Sequence, residues 1–407
     1  HYFFSNGKRV KAWADKERFA AEMEAQLGEP RENLTQYLVK SEDLYNNVGE
    51  LFLKHSLNRP ADFSMAEITK ALGTVKLSYL FQSLNGYNQH QFKTPEAAQL
   101  FNRYATYNGS NPYKAPAMLS LIPHLEMNEG TFYPEGGMIS IANALYRLAL
   151  KKGVKFHFNC PVEQILVTNG KVTGIKAAGK EFAAGLVVSN QDVYFTYKNL
   201  LQNAGLAAKV LKQERSSSAL IFYWGIKHDF KELGLHNIFF SADYEAEFRH
   251  IFSDGTVFED PTIYINITSK METGMAPDGC ENWFVMVNVP ANTGQDWGAL
   301  KADTRKKVLD KLSRVLKVDV ENLVASEETL DPLSIESKTM SYMGSLYGTS
   351  SNSKMAAFLR HPNFGKGYKG LYFVGGSVHP GGGIPLCLRS AAIMSKMVAT
   401  DFPGGAY

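Results

Sequence analysis

The chain has 407 residues, 44% of them hydrophobic and 20% charged, which is material for two or three globular domains with sizeable cores. Its 43 basic residues against 40 acidic ones leave a net charge of +3, with no nucleic-acid footprint. Cys160, Cys280 and Cys387 make no C-x-x-C pair and the ten histidines make no H-E-x-x-H, so the sequence points to a reducing cytoplasm and to no metal site.

Tyr2 to Phe4 reads as a strand, Asn6-Gly7 as a hairpin turn and Val10 to Trp13 as the return. Residues 14–110 read as mostly helical. Asp15 caps a helix carrying Phe19, Met23 and Leu27, and Gly28 and Pro30 end it. Glu32 to Leu57 continues with Leu34, Leu38, Val48, Leu51 and Phe52. Met65, Ile68, Leu72, Val75, Tyr79 and Leu80 follow at helical spacing, and Thr94-Pro95-Glu96 opens a further helix. The block forms either a cap over a cavity or a plain scaffold. Residues 111–127, apolar with three prolines, form either a buried helix or an interfacial segment at a channel mouth; the stretch is too short to span a membrane. No run of eighteen apolar residues occurs anywhere, so membrane contact would be peripheral.

After Gly136-Gly137 a helix is expected with Met138, Ile141, Ala142, Leu145, Leu148 and Ala149 on one face, ended by Gly153. Val154, Phe156 and Phe158 alternate with polar residues as in a strand. Val162 to Val167, the Asn169-Gly170 turn and Val172 to Ile175 make a hairpin, and Leu186 to Ser189 a short strand. Further strands are expected at Ala219–Ile226, Ile238–Phe240, Thr262–Thr268 and Trp283–Val289, then an amphipathic helix over 301–318. Glu135 either faces a site or is solvated. Asp254, Glu259 and Asp260 lack the spacing of a calcium loop.

Residues 370–398, GLYFVGGSVHPGGGIPLCLRSAAIMSKMV, are the most informative. An apolar strand, Leu371 to Val374, enters a turn with Gly375, Gly376, Gly381, Gly382 and Gly383, and Pro385 opens a helix. Such a turn brings backbone N–H groups and a positive helix end to an anionic or electron-rich ligand. Small Ser390, Ala391 and Ala392 let the helix pack close to a sheet. Cys387 reads as a small apolar packer. His379, inside the turn, is either a proton acceptor or a residue that hydrogen-bonds the loop backbone.

The string FVGGSVHPGGGIPLCL resembles the C-terminal flavin-binding signature of the carotenoid desaturase family, the phytoene desaturase-like flavoproteins. FYPEGGM, LHNIFFSADYEAEF, DPTIYINITSK, ENWFVMVNVP and GSLYGTSSN agree, and the wording is most like the branch acting on hydroxylated acyclic carotenoids. The resemblance implies an α/β fold: a glutathione-reductase-like FAD domain plus a mixed-sheet and helical substrate domain. It divides the chain into a helical cap and substrate or membrane region (1–130), an FAD-domain segment (131–200), a substrate domain (201–340) and a C-terminal FAD-domain segment (341–407). It implies FAD contact at Val162, Gly375, Gly376, Ser377, Gly381, Gly382, Gly383, Ile384 and Pro385, catalysis near His379, and a substrate-tunnel wall at Tyr342, Leu346 and Tyr347. By pattern alone that wall is equally a packed core turn.

Such flavoproteins open with a strand, a G-x-G-x-x-G turn and a helix, a pattern these residues lack. A unit of that kind is therefore expected before His1, and the chain by itself is expected to hold FAD weakly. The implied activity is FAD-dependent desaturation of an acyclic, hydroxylated carotenoid at a membrane surface on the cytoplasmic side, with oxygen or a quinone as electron acceptor. The alternatives are a phytoene desaturase, another carotenoid oxidoreductase, or an inactive isoprenoid-binding fragment.

Overall fold

Asn6 and Gly7 turn the first hairpin as expected, with Gly7 at φ 87 and antiparallel β1 (Tyr2–Phe3) and β2 (Arg9–Val10) on either side. The computed structural model describes residues 1–59, 62–66, 69, 78–353 and 360–404; the helical positions expected at Ile68, Leu72 and Val75 lie outside them. In α1 (Lys16–Leu27) the Asp15 carboxylate accepts from the Arg18 N–H and Gly28 closes the end at φ 75. With α2 (Arg31–Leu44), α3 (Leu84–Gln91) and α4 (Pro95–Asn102) it buries Phe19, Met23, Leu34, Tyr37, Leu100 and Phe101 in one core. Ile238 and Phe240 join that core, so the helical block packs on the large sheet.

That sheet has seven strands in the order β11-β7-β10-β9-β8-β1-β2. They are β7 (Ser218–Ile226), β8 (His236–Phe239), β9 (Ile263–Ile267), β10 (Glu281–Val289) and β11 (Val324–Leu330), with the first hairpin added at one edge. Pairing is antiparallel except where β1 runs parallel to β8. The alternation of β7 puts Leu220, Phe222, Trp224 and Ile226 into a core against Val308, Leu309 and Leu312, while Tyr223 faces outward. The covering helix begins earlier than expected, at α6 (Trp297–Leu316), because Asp296 accepts from the Ala299 N–H.

Two smaller sheets complete the α/β fold. β3 (Val162–Thr168), β4 (Lys171–Ala177) and β5 (Lys180–Ala183) form an antiparallel ribbon. β6 (Val187–Ser189) pairs in parallel with β12 (Leu371–Phe373), joining the two segments expected to share a domain.

Two expectations change. Val154–Phe158 forms no strand: the Val154 N–H closes the preceding helix on Ala149 O, no strand among the described residues pairs with the segment, and Val154, Phe156 and Phe158 are exposed. α5 (Ile139–Lys151) has the expected periodicity yet buries no residue, so Ile141, Leu145 and Leu148 stand open. Around 111–127 the buried reading holds for the middle of the stretch: Ala115, Ala117, Met118 and Leu119 are core residues in short helical turns, and Ile122 packs against them. No helix among the described residues is long and apolar enough to cross a membrane.

Candidate active site

The glycine turn is held from beneath by small polar groups. As β12 ends, Val374 N–H donates to Ser189 O and Gly375 N–H donates to Ser390 Oγ. Gly375 has φ 101, and a side chain there would overlap the Asn190 amide. Buried Asn363 donates through Nδ2 to His379 O (2.8 Å) and Ser390 Oγ (2.9 Å), so one amide ties the turn to the following helix. Ser377 Oγ accepts from Val193 N–H. A Cβ on Gly376 would lie 3.3 Å from Gly382 Cα, so the two arms of the turn nearly touch.

The turn delivers the chain into α7 (Ile384–Asp401), whose N-cap Gly383 (φ 97) supplies no side-chain acceptor. No acidic residue lies in the first turn of α7, Pro385 has no N–H, and Ile384 and Leu388 are exposed. The helix therefore presents an open positive end. Burial pushes the Cys387 thiol pKa up, in keeping with a packing role.

His379 is fully buried, and its Nε2–H donates to Phe52 O at 2.8 Å. Burial lowers its pKa to about 4, so the imidazole is neutral at pH 7. It clamps the turn to the short helical stretch Glu50–Lys54, a partner outside its own loop.

Of the three expected wall residues, Tyr347 meets the turn. Its ring lies where side chains at Gly109 and Gly382 would otherwise be, at 2.7 and 2.8 Å. Its N–H donates to Ser216 Oγ. Leu346 N–H donates to Ser217 O, next to the turn-facing residue. Tyr342 stacks elsewhere, 3.7 Å from the Tyr194 ring and under the Arg215 guanidinium. Val162 opens β3 with an exposed side chain, and no hydrogen bond or ring contact among the described residues joins it to the turn.

Several site residues escaped the sequence reading. Buried Arg215 forms a two-pronged pair with Asp192 (3.2 and 3.3 Å), fixing the β6 end against β7. Arg360 donates to Tyr347 O (2.9 Å) and to Asn108 Oδ1 (2.8 Å), bolting the wall loop to the helical block. The signal available for both was a single arginine in an otherwise ordinary stretch, which is too common to single out.

A groove of about 500 Å³ lies on the outward face of the large sheet, lined by Tyr223, Phe284, Asn266 and Asn282 among others. Rings lead inward from it. Tyr223 meets Phe284 at 5.5 Å, Phe284 meets Tyr264 at 6.2 Å, and Arg103 lies 5.6 Å over Tyr264.

The family model described as flavin containing amine oxidoreductase matches residues 3–216, more than half of the chain. The chain belongs to this family. Within the flavin-containing amine oxidoreductases it is similar to a 1-hydroxycarotenoid 3,4-desaturase of Flavobacterium sp., 48% identical over 398 residues, 98% of this chain and 81% of the relative. It is also similar to a 4,4'-diapolycopene oxygenase of Methylomonas sp., 31% identical over 79% of this chain and 66% of the relative. Among solved structures, a putrescine oxidase triple mutant shares the fold at TM-score 0.57 and 13% identity, over 98% of this chain and 79% of that one. The protein is thus an FAD-dependent oxidoreductase of this family.

The residues at the turn suit the ring end of that cofactor. Gly383 opens onto free space, α7 offers uncapped N–H groups, and an arginine side chain sits behind Gly381. A glycine-rich strand-turn-helix for the pyrophosphate has no counterpart among the described residues.

Proposed function

We propose that the protein desaturates an acyclic, hydroxylated carotenoid in carotenoid biosynthesis, with the flavin ring at the Gly375–Pro385 turn. Two relatives that act, by name, on carotenoid-type substrates support the substrate class. The observation that carries the reading is the glycine turn itself, where the Tyr347 ring packs against Gly382 beside the open N-terminus of α7, with the ring series Tyr223, Phe284 and Tyr264 running in from the sheet-face groove. Rings half-buried in sequence suit an extended apolar chain. Arg360 beside Tyr347 forms no ion pair among the described residues, which disfavours a cationic amine there.

The Gly375–Pro385 turn would hold the flavin ring, and FAD bound there would supply the two-electron hydride acceptor for an allylic C–H, the proton of the neighbouring carbon passing to solvent as the C=C bond forms. Gly382 and Tyr347 set how closely the substrate approaches. His379, neutral and spent on Phe52 O, positions the turn. Conjugation spreads developing charge along the polyene, so no dedicated base is required. The reducing equivalents pass to oxygen or a quinone. Because such a substrate resides in a bilayer, the protein meets the cytoplasmic membrane surface peripherally.

The test is incubation of the FAD-loaded protein with liposome-borne acyclic carotenoids, with and without a terminal hydroxyl. One added conjugated double bond in the hydroxylated substrate, read as a red shift, is the expected result. Conversion of phytoene alone would favour a phytoene desaturase, and an oxygenated product would favour the other relatives' chemistry.

A further inference from the structure

Arg360 is 1% exposed, and no carboxylate pairs with it among the described residues. Its Nη1 donates to Tyr347 O and, at 3.4 Å, to Gly376 O; its Nη2 donates to Asn108 Oδ1. Its Nε has no partner, and a Cβ on Gly381 would lie 3.2 Å from that atom. Arg215, a like charge that acts on it, is already engaged by Asp192. Burial lowers the Arg360 pKa to about 10, so the side chain stays a cation at neutral pH.

A buried cation satisfied only by neutral oxygens is costly, by several kcal/mol on the order of magnitude usual for such ions. A second positive feature lies at the same turn: the uncapped N-terminus of the 18-residue helix α7, with no acidic residue in its first turn. Two independent sources of positive potential, one of them an unpartnered buried nitrogen, converge on the glycine turn. Each would be offset by an electron-rich group bound there.

We propose that Arg360 is the buried cation that stabilises the negative charge a flavin ring acquires on two-electron reduction. The proposal rests on the reading that the ring lies at this turn. Arg360 is a positioning and electrostatic residue: it reaches the turn through Gly376, Gly381 and Tyr347 and makes the bound cofactor a stronger oxidant.

The experiment compares the FAD-loaded native protein with its Arg360→Lys, Arg360→Gln and Arg360→Met variants. The readouts are flavin content, far-UV circular dichroism and the midpoint potential of the bound flavin by dye equilibration. Loss of charge in the Gln and Met variants should shift the reduction equilibrium at least tenfold toward the oxidised form, about 30 mV for a two-electron couple. The Lys variant, which keeps the charge but loses the fork, should stay near the parent. Neutral variants that hold FAD at the parent's potential would overturn the proposal. If the neutral variants do not fold, the parent decides. Its potential between pH 5 and 6 should fall by about 30 mV per pH unit, one proton per two electrons, because the reduced ring stays anionic. A slope of about twice that value would mean a neutral reduced ring and refute the idea. The turn reading fails separately if Gly382→Val keeps its flavin.

Discussion

The backbone of Gly382 lies so close to Tyr347 that a side chain at 382 would begin 2.8 Å from Cδ1 of the ring and 3.0 Å from Cα of Tyr347. A moving ring tip could relieve the first contact; only a backbone shift relieves the second. Gly382→Val is therefore expected to displace the 342–347 loop and lose flavin on gel filtration. Gly383→Val has open space but must hold φ 97, which a β-branched residue resists, so it loses flavin through the backbone instead. Flavin absorbance co-eluting with both variants at the parent's ratio would contradict the site.

Acid sensitivity is the second expectation. Burial lowers the pKa of both His379 and His361 from 6.5 to about 4. Below 6.5 the unfolded chain takes up protons that the folded one refuses, so this stability is complete above 6.5 and is lost as pH falls toward 4. Glu247, raised to about 7 by burial, opposes this trend between 4.5 and 7, since the folded state keeps a proton that the unfolded state releases. His379→Gln leaves His361 and Glu247 in place. Its unfolding free energy should change less steeply between pH 6 and 4.5, by roughly one proton or about 1.4 kcal/mol per pH unit. Urea titrations at three pH values measure it, and parallel slopes would refute the assignment.

Breaking the Asp192–Arg215 pair should be expensive. Both side chains are 5% exposed, so Asp192→Asn leaves a guanidinium without its counter-ion and costs about 3–5 kcal/mol. Asp310→Asn, an exposed change, is the control and should cost under about 0.5 kcal/mol. Equal denaturation midpoints for the two variants would show that the pair is not what holds β6 to β7.

Met118 tests the apolar, proline-punctuated stretch. It is buried against Leu44 and Val48. Met118→Ser should destabilise the protein by about 2–5 kcal/mol and leave liposome binding of the folded fraction unchanged. A stable variant with weaker liposome flotation would restore the channel-mouth reading.

The outward face of α5 makes a fifth test. Leu145 and Leu148 are 50% and 52% exposed. Leu145→Lys with Leu148→Lys should lower dye binding to exposed apolar surface and reduce aggregation, with stability changed by under about 1 kcal/mol. A cooperative loss of structure would show that the face is covered.

Local rules carried the reading where they act alone. Asp15, Gly28, Asn6-Gly7 and the alternation of β7 and β10 declare their own geometry, and the corresponding elements formed with ends within a few residues. The strand at Val154–Phe158 and the burial of α5 depend on a neighbour, which periodicity does not supply. The glycine turn was legible because strand, glycines and proline follow in order. Arg360, Asn363 and Ser390 were not, because their importance arises only when positions 108, 347, 376 and 379 converge. His379 was seen, but its role depended on Phe52, more than 300 residues away in sequence.

The first strand has a consequence in time. Tyr2–Phe3 pair with Ile238–Phe239, 236 residues further on. At synthesis rates of about 5–20 residues per second, an apolar Tyr-Phe-Phe segment waits roughly ten to fifty seconds for its partner strand to emerge. During that interval its edge is open to other chains. The sheet closes late, by its most non-local pairing, so the yield of folded protein should respond to slower translation and to holdase chaperones more than to changes in the helical block, whose contacts form early.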